Sequence, residues 1–144
     1  MNKHTAIVEL KNRGLNEYYA ELDDDITVDI FNLKDKSLSV SAIRSKWLIY
    51  LFKERENLKR LKDGKAKNMT ILVEAMNKDP EKRSILSKKM EDDINETNPT
   101  MKKVTKKLED TKEIVQFLEM ATNILNDFGF TTSNAIKALQ LEQV

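Results

Sequence analysis

The sequence predicts an all-α protein: long helices of a helical-hairpin or coiled-coil type, with a short C-terminal helix, assembling into a homo-oligomer. Its 144 residues include only three Gly and two Pro, too few for the many turns of an all-β fold. Apolar residues make up 40% and charged residues 34%. That suffices for a narrow apolar stripe on each helix but not for a thick core within one chain. We therefore expect copies of the chain to complete one another's core.

The first segment, residues 1–36, is acidic, with five basic and eight acidic side chains. We expect a short helix over residues 5–22. Apolar and polar residues then alternate over residues 26–33, which is typical of an extended stretch. We interpret the chain as one structural domain made of this segment and the two that follow, residues 37–100 and 101–144.

The middle segment, residues 37–100, contains the basic element of the chain. Residues 37–78 carry ten basic and four acidic side chains. Trp47, Leu51 and Leu58 lie at heptad spacing, which predicts one long helix over residues 41–78. We expect a weaker helix over residues 80–95, begun by Asp79, Pro80 and Glu81, and a loop over residues 95–100.

The last segment, residues 101–144, predicts an amphipathic helix over 101–127 that serves oligomerisation. Gly129 is predicted to end this helix in a left-handed cap, with a short helix over residues 134–142 after it. The residues predicted at the contacts between copies are Leu118, Leu125, Phe128, Phe130, Ile136 and Leu139.

The basic tract of the long helix is the strongest functional signal. Four of its residues are spaced seven apart and could follow a nucleic-acid backbone, with Trp47 and Tyr50 stacking on bases. The alternative is that these charges only solvate a coiled-coil helix and that Trp47 belongs to its core. The predicted DNA-binding residues are Lys46, Lys53, Arg55, Lys59, Arg60, Lys62, Lys65 and Lys67.

Signals of enzymatic chemistry are nearly absent. The single histidine, His4, is interpreted as solvent-exposed, and the chain has no cysteine and no glycine-rich phosphate loop. Four acidic residues could bind a divalent cation, but they lack the Gly and terminal Glu of an EF-hand loop; they are Asp23, Asp24, Asp25 and Asp29. We therefore expect a non-enzymatic protein without cofactor or metal. Met1–Leu10 has no signal-type apolar run, which predicts a cytoplasmic protein that does not contact a membrane.

The order of these features resembles the UvsY family of phage recombination mediators. The motif SKWL, Ser45–Leu48, opens the long helix, and the basic run Lys53–Lys67 follows it. An amphipathic stretch, Phe117–Phe130, then precedes a short segment with Ala135, Ile136 and Lys137. The resemblance covers roughly residues 20–142.

The resemblance implies a ring-like homo-oligomer, a hexamer or heptamer, that binds single-stranded DNA. It implies that the protein helps to load a RecA-like phage recombinase by remodelling the single-strand-binding protein already on the DNA, in the cytoplasm of an infected bacterium. The chain departs from the family at one point. Thr70 and Leu72 stand where the family pattern has two basic residues, so the DNA contacts are expected earlier, at Arg60 to Lys67. The alternative from another class is a coiled-coil scaffold without nucleic-acid binding.

Overall fold

The computed structural model describes residues 13–77 and 88–142 and contains no strand within those ranges. They form four helices: α1 (Leu15–Ile26), α2 (Leu33–Asn77), α3 (Lys88–Thr97) and α4 (Pro99–Glu142). The predicted all-α class is confirmed. His4 and the predicted helix start at residues 79–81 lie outside the described residues.

The long helix α2 begins earlier than predicted, and the expected extended stretch over residues 26–33 is wrong. Asp29 Oδ1 accepts the backbone N–H of Asn32 at 2.9 Å, while Asn32 Oδ1 accepts the backbone N–H of Asp29 at 2.7 Å. This reciprocal capping box satisfies two backbone donors that a helix start would otherwise leave unpaired. Residues 30–32 therefore form a turn that leads directly into α2, and the short alternating pattern does not decide the local structure.

The C-terminal helix α4 is continuous, so the predicted cap at Gly129 and the separate helix over 134–142 are wrong. No described Gly has a positive φ, and Gly129 lies within the helix. Thr132, just past it, is buried and donates its hydroxyl to Phe128 O at 3.0 Å. Burial of residues beyond Gly129 continues the helix despite the propensity cost of about 1 kcal/mol for Gly.

The predicted loop before α4 shrinks to one residue, Asn98. Its Oδ1 accepts the backbone N–H groups of Thr100 and Met101, both at 3.1 Å. Pro99 occupies the first helical position, where a missing N–H costs nothing. An Asn-Pro pair therefore works here as a helix start, not as a loop.

The chain divides into two compact units. The first unit takes its residues from 1–54 and 113–144, and its core includes the fully buried Tyr18, Trp47, Leu118 and Leu125. The second unit takes its residues from 55–112 and buries Met69, Met101, Leu108 and Thr111. Helix α2 supplies side chains to both cores.

Candidate nucleic-acid interface

In the first unit, the two central residues of the SKWL motif share one acidic partner. Asp25, at the end of α1, is buried. Its Oδ2 accepts the indole N–H of Trp47 at 2.8 Å and lies 2.6 Å from the ammonium of Lys46. Burial alone would lower the pKa of Lys46, but its hydrogen bond to Asp25 and the attraction of Glu21 and Asp25 outweigh this and raise that pKa. Lys46 is therefore held by carboxylates of its own unit.

The same cluster continues through four more side chains, those of Arg13, Tyr18, Tyr50 and Glu54. The hydroxyl of Tyr18 donates to Glu54 Oε1 at 3.0 Å, and the hydroxyl of Tyr50 donates to Glu21 Oε1 at 3.1 Å. Arg13 binds the other oxygen of Glu21 at 3.0 Å, and its guanidinium lies 4.6 Å from the centre of the Tyr18 ring. Burial, followed by the charge of Glu54, raises the pKa of Tyr18. These contacts tie α1 to α2.

Two aromatic residues that the sequence offered for base stacking belong to this core. Trp47 has no exposed surface, and Tyr50 is only 9% exposed. Their rings pack edge to face with centroids 5.3 Å apart, and Trp47 also meets Phe117 edge to face at 6.4 Å. Trp47 therefore lies in the core, as the alternative interpretation of the sequence predicts. Neither ring is accessible to a base.

In the second unit, the basic residues of α2 form two rows and not one line. Residues three, four or seven apart on a helix share a face. Arg60 and Lys67 alternate with Glu56 and Asp63 at that spacing, so this row, here the mixed row, carries both signs of charge. The other row contains Arg55, Lys59 and Lys62, and we call it the basic row; Lys59 also lies three residues after Glu56 and four before Asp63, whereas Lys62 has no acid three or four residues away.

Two side chains of the basic row, those of Lys59 and Lys62, are available to an anion. Lys59 and Lys62 are exposed, and no carboxylate of the described residues lies within 4.0 Å of either ammonium. In the mixed row, Arg60 donates to Asn57 Oδ1 at 2.9 Å, whereas Lys67 is exposed. Lys65 is half-buried and shares a helix face with Leu58, Leu61 and Leu72. Of the predicted residues in this unit, Lys59 and Lys62 are exposed members of the basic row, and Lys62 has no acid three or four residues away.

The predicted oligomerisation residues separate into two sets. Leu118 and Leu125 are fully buried, and Phe128 nearly so, within a single chain. Phe130 is 76% exposed, while Ile136 and Leu139 are half-buried. The first set already fills the core of its own unit. The second set, Phe130, Ile136 and Leu139, therefore contains the residues that we still predict to contact another copy.

The acidic cluster of residues 23–29 is used for folding. Asp25 binds Trp47 and Lys46, and Asp29 caps α2. Within residues 13–77 and 88–142 there is no group of three or more His, Cys, Asp or Glu side chains placed to hold a metal ion. No helix in these ranges has the length and apolar character needed to cross a membrane.

Sequence comparison with protein-family models and with curated proteins gives no match. Comparison with solved structures gives one. The crystal structure of the bacteriophage T4 recombination mediator protein UvsY is similar with a TM-score of 0.74. The similarity covers 92% of this chain and 100% of the UvsY chain at 17% sequence identity. The resemblance predicted from the sequence is confirmed at the level of the fold, and the chain has the fold of UvsY.

Proposed function

We propose that this protein is a non-enzymatic recombination mediator that binds single-stranded DNA. In this role it helps to load a RecA-like recombinase by remodelling complexes of single-strand-binding protein with DNA, in phage recombination, repair and replication. Two observations support the proposal. The chain has the fold of a protein known as a recombination mediator, and α2 presents a row of exposed basic side chains.

The basic row is the observation that carries the proposal. Phosphates are bound by cations that are exposed and not already neutralised, and Lys59 and Lys62 meet both conditions. The mixed row offers less, because both of its cations, Arg60 and Lys67, lie three or four residues from an acid that repels phosphates, whereas Lys62 does not. Lys46 offers least, since Asp25 lies 2.6 Å from its ammonium.

The few cations of one chain bind a DNA strand only weakly, and an oligomer strengthens this binding. Several copies on one strand raise the effective affinity by about 10² to 10⁴ without a new type of contact. In this proposal Phe130 and the half-buried Ile136 and Leu139 contact another copy, and the ring is a hexamer or heptamer in the host cytoplasm. The recombinase and the single-strand-binding protein are its protein partners.

The test is a titration of a labelled oligonucleotide, followed by fluorescence anisotropy at several salt concentrations. Lys59→Ala/Lys62→Ala should weaken binding and lower the slope of log K against log salt by about 1.4, because each lost phosphate contact contributes about 0.7 for single strands. Circular dichroism and sedimentation should show an unchanged fold and assembly.

Arg60→Ala/Lys67→Ala is the matched control, since it removes the same charge from the mixed row. We expect a smaller change in slope for this variant. Equal changes for the two variants would mean that total charge, not the basic row, determines binding. If the wild type does not bind an oligonucleotide even at low salt, the chain is a coiled-coil scaffold and the proposal is wrong.

A further inference from the structure

Helix α2 exposes a group of large apolar side chains just before its basic tract. Leu48 is 47% exposed, Ile49 53% and Phe52 66%. The same two turns bury Trp47 and Leu51 almost completely, so the core of this unit is built without these three residues. Phe52 is the most exposed of the group and its only aromatic residue.

The register of α2 places Phe52 on the line of the basic row. Arg55 follows it by three residues and Lys59 by seven, spacings that return to the same side of an α-helix; Glu56, four residues after Phe52, is the acid on this side. Leu48, four residues earlier, continues the line in the other direction. Lys53, the next residue along the chain, is also exposed. An aromatic ring therefore precedes the cations on one helix face.

We propose that Phe52 is a base-stacking residue for a single strand whose phosphates are held by the basic row. Every base has a π-face, so a ring beside a row of cations binds single strands without sequence preference. Charge favours this occupant over a second copy with the same face inward, because two basic rows would then repel each other. The inference depends on the proposed DNA binding and adds to it a residue that the sequence did not single out.

The first experiment separates stacking from charge. Phe52→Ala should weaken oligonucleotide binding roughly 5- to 150-fold, the range for loss of one base–aromatic stack, while the salt slope stays that of the wild type. Lys59→Ala/Lys62→Ala should instead lower the slope. Phe52→Tyr should keep the affinity and Phe52→Leu should lose it, since leucine is apolar but has no π-face.

The second experiment observes the contact directly. Phe52→Trp adds an exposed indole to a chain whose only tryptophan, Trp47, has no exposed surface. Saturating oligo(dT) should quench the fluorescence of this variant strongly, and that of the wild type, the matched control, only weakly.

The results that would overturn the inference are distinct from failure of the proposed function. Unchanged affinity in Phe52→Ala, full affinity in Phe52→Leu, or no added quenching in Phe52→Trp rules out stacking while the lysine variants still report DNA binding. Loss of the assembly in Phe52→Ala, measured by sedimentation, would make this face a contact between copies. If the wild type does not bind DNA at all, the proposed function itself fails.

Discussion

Asp25 illustrates how one buried carboxylate fixes two neighbouring residues of α2. Its Oδ2 meets the indole N–H of Trp47 and the ammonium of Lys46 at 2.8 Å and 2.6 Å. Buried polar groups are retained only where they find partners, and here the partners connect α1 to α2. The lysine of the SKWL motif therefore stabilises the fold, and substituting it would change stability as well as any binding.

The tyrosines and Lys46 of this cluster predict a loss of stability in alkali. Burial and the charge of Glu54 raise the pKa of Tyr18. Burial and Glu21 raise the pKa of Tyr50, although its hydrogen bond with Arg13 opposes this. Burial lowers the pKa of Lys46, but Asp25 and Glu21 outweigh it, so that this pKa is also raised. The unfolded chain releases these protons near their ordinary pKa of about 10, while the folded chain keeps them. The free energy of unfolding should therefore fall as pH rises above about 10. Urea unfolding at pH 8, 10 and 11, followed by circular dichroism, measures it.

Tyr18→Phe is the control for this pH dependence. The variant has no phenol proton to retain, so its stability should fall less between pH 8 and pH 11 than that of the wild type. It should start lower at pH 8, because Glu54 loses a hydrogen-bond donor at 3.0 Å. A pH profile parallel to the wild type would contradict a role for Tyr18.

At the residue scale, the sequence predicts which side chains are buried better than it predicts their hydrogen-bond and ion-pair partners. Heptad spacing indicated a core position for Trp47, and the ring is fully buried. The seven-residue spacing of the cations predicts Lys46 as a DNA contact. Its carboxylate partner, Asp25, lies 21 residues earlier along the chain, and no local sequence pattern reveals such a pair. The exposure of Phe52 is likewise not predicted by the cations spaced seven residues apart, since they lie on another face of α2.

At the element scale, the existence and type of the long helices were predictable and several of their boundaries were not. The low Gly and Pro count and the heptad positions indicate α2 and α4 correctly. The start of α2 differs from the prediction because Asp29 and Asn32 form a capping box, which the alternating apolar pattern over residues 26–33 does not reveal. The cap at Gly129 was wrong because propensity is a weak prior against the burial of the residues beyond it.

Replacing the two described helical glycines that follow α1 tests this account of the elements. Gly64 lies in α2, and a Cβ added there would meet nothing within 4 Å. Gly64→Ala should raise the free energy of unfolding by about 0.5–1 kcal/mol. Gly129→Ala should also stabilise, though by no more, since its Cβ would lie 3.4 Å from Val40 Cγ1. Urea unfolding measures both.

The sign of the Gly129→Ala effect decides between two conformations. In a continuous helix alanine is the better residue, whereas in a left-handed cap with positive φ its Cβ would be strained. If the free energy of unfolding falls by more than about 1 kcal/mol in Gly129→Ala and rises in Gly64→Ala, the helix ends at Gly129 as the sequence predicts, and the continuous α4 is wrong.

At the scale of the whole molecule, α4 has two apolar faces with different uses. Leu118 and Leu125 are fully buried in the first unit. Phe130 and Leu141, each 76% exposed, lie eleven residues apart and share another face of the helix. Exposed apolar side chains on one face can take part in a contact surface when a partner covers them. The proposed contact between copies thus has candidates that the fold of one chain does not need.

Phe130→Asp and Leu125→Asp should therefore have opposite effects on assembly and folding. Phe130→Asp places a charge on an exposed face, so we expect smaller particles by sedimentation velocity and a thermal midpoint close to that of the wild type. Leu125→Asp buries an unpaired carboxylate in the core and should unfold the chain, at a cost of several kcal/mol out of a total stability of about 5–15 kcal/mol. Phe130→Leu, which keeps the face apolar, should sediment like the wild type. If Phe130→Asp keeps the full native mass, the copies meet elsewhere on the chain, and the half-buried Ile136 and Leu139 are the next positions to substitute.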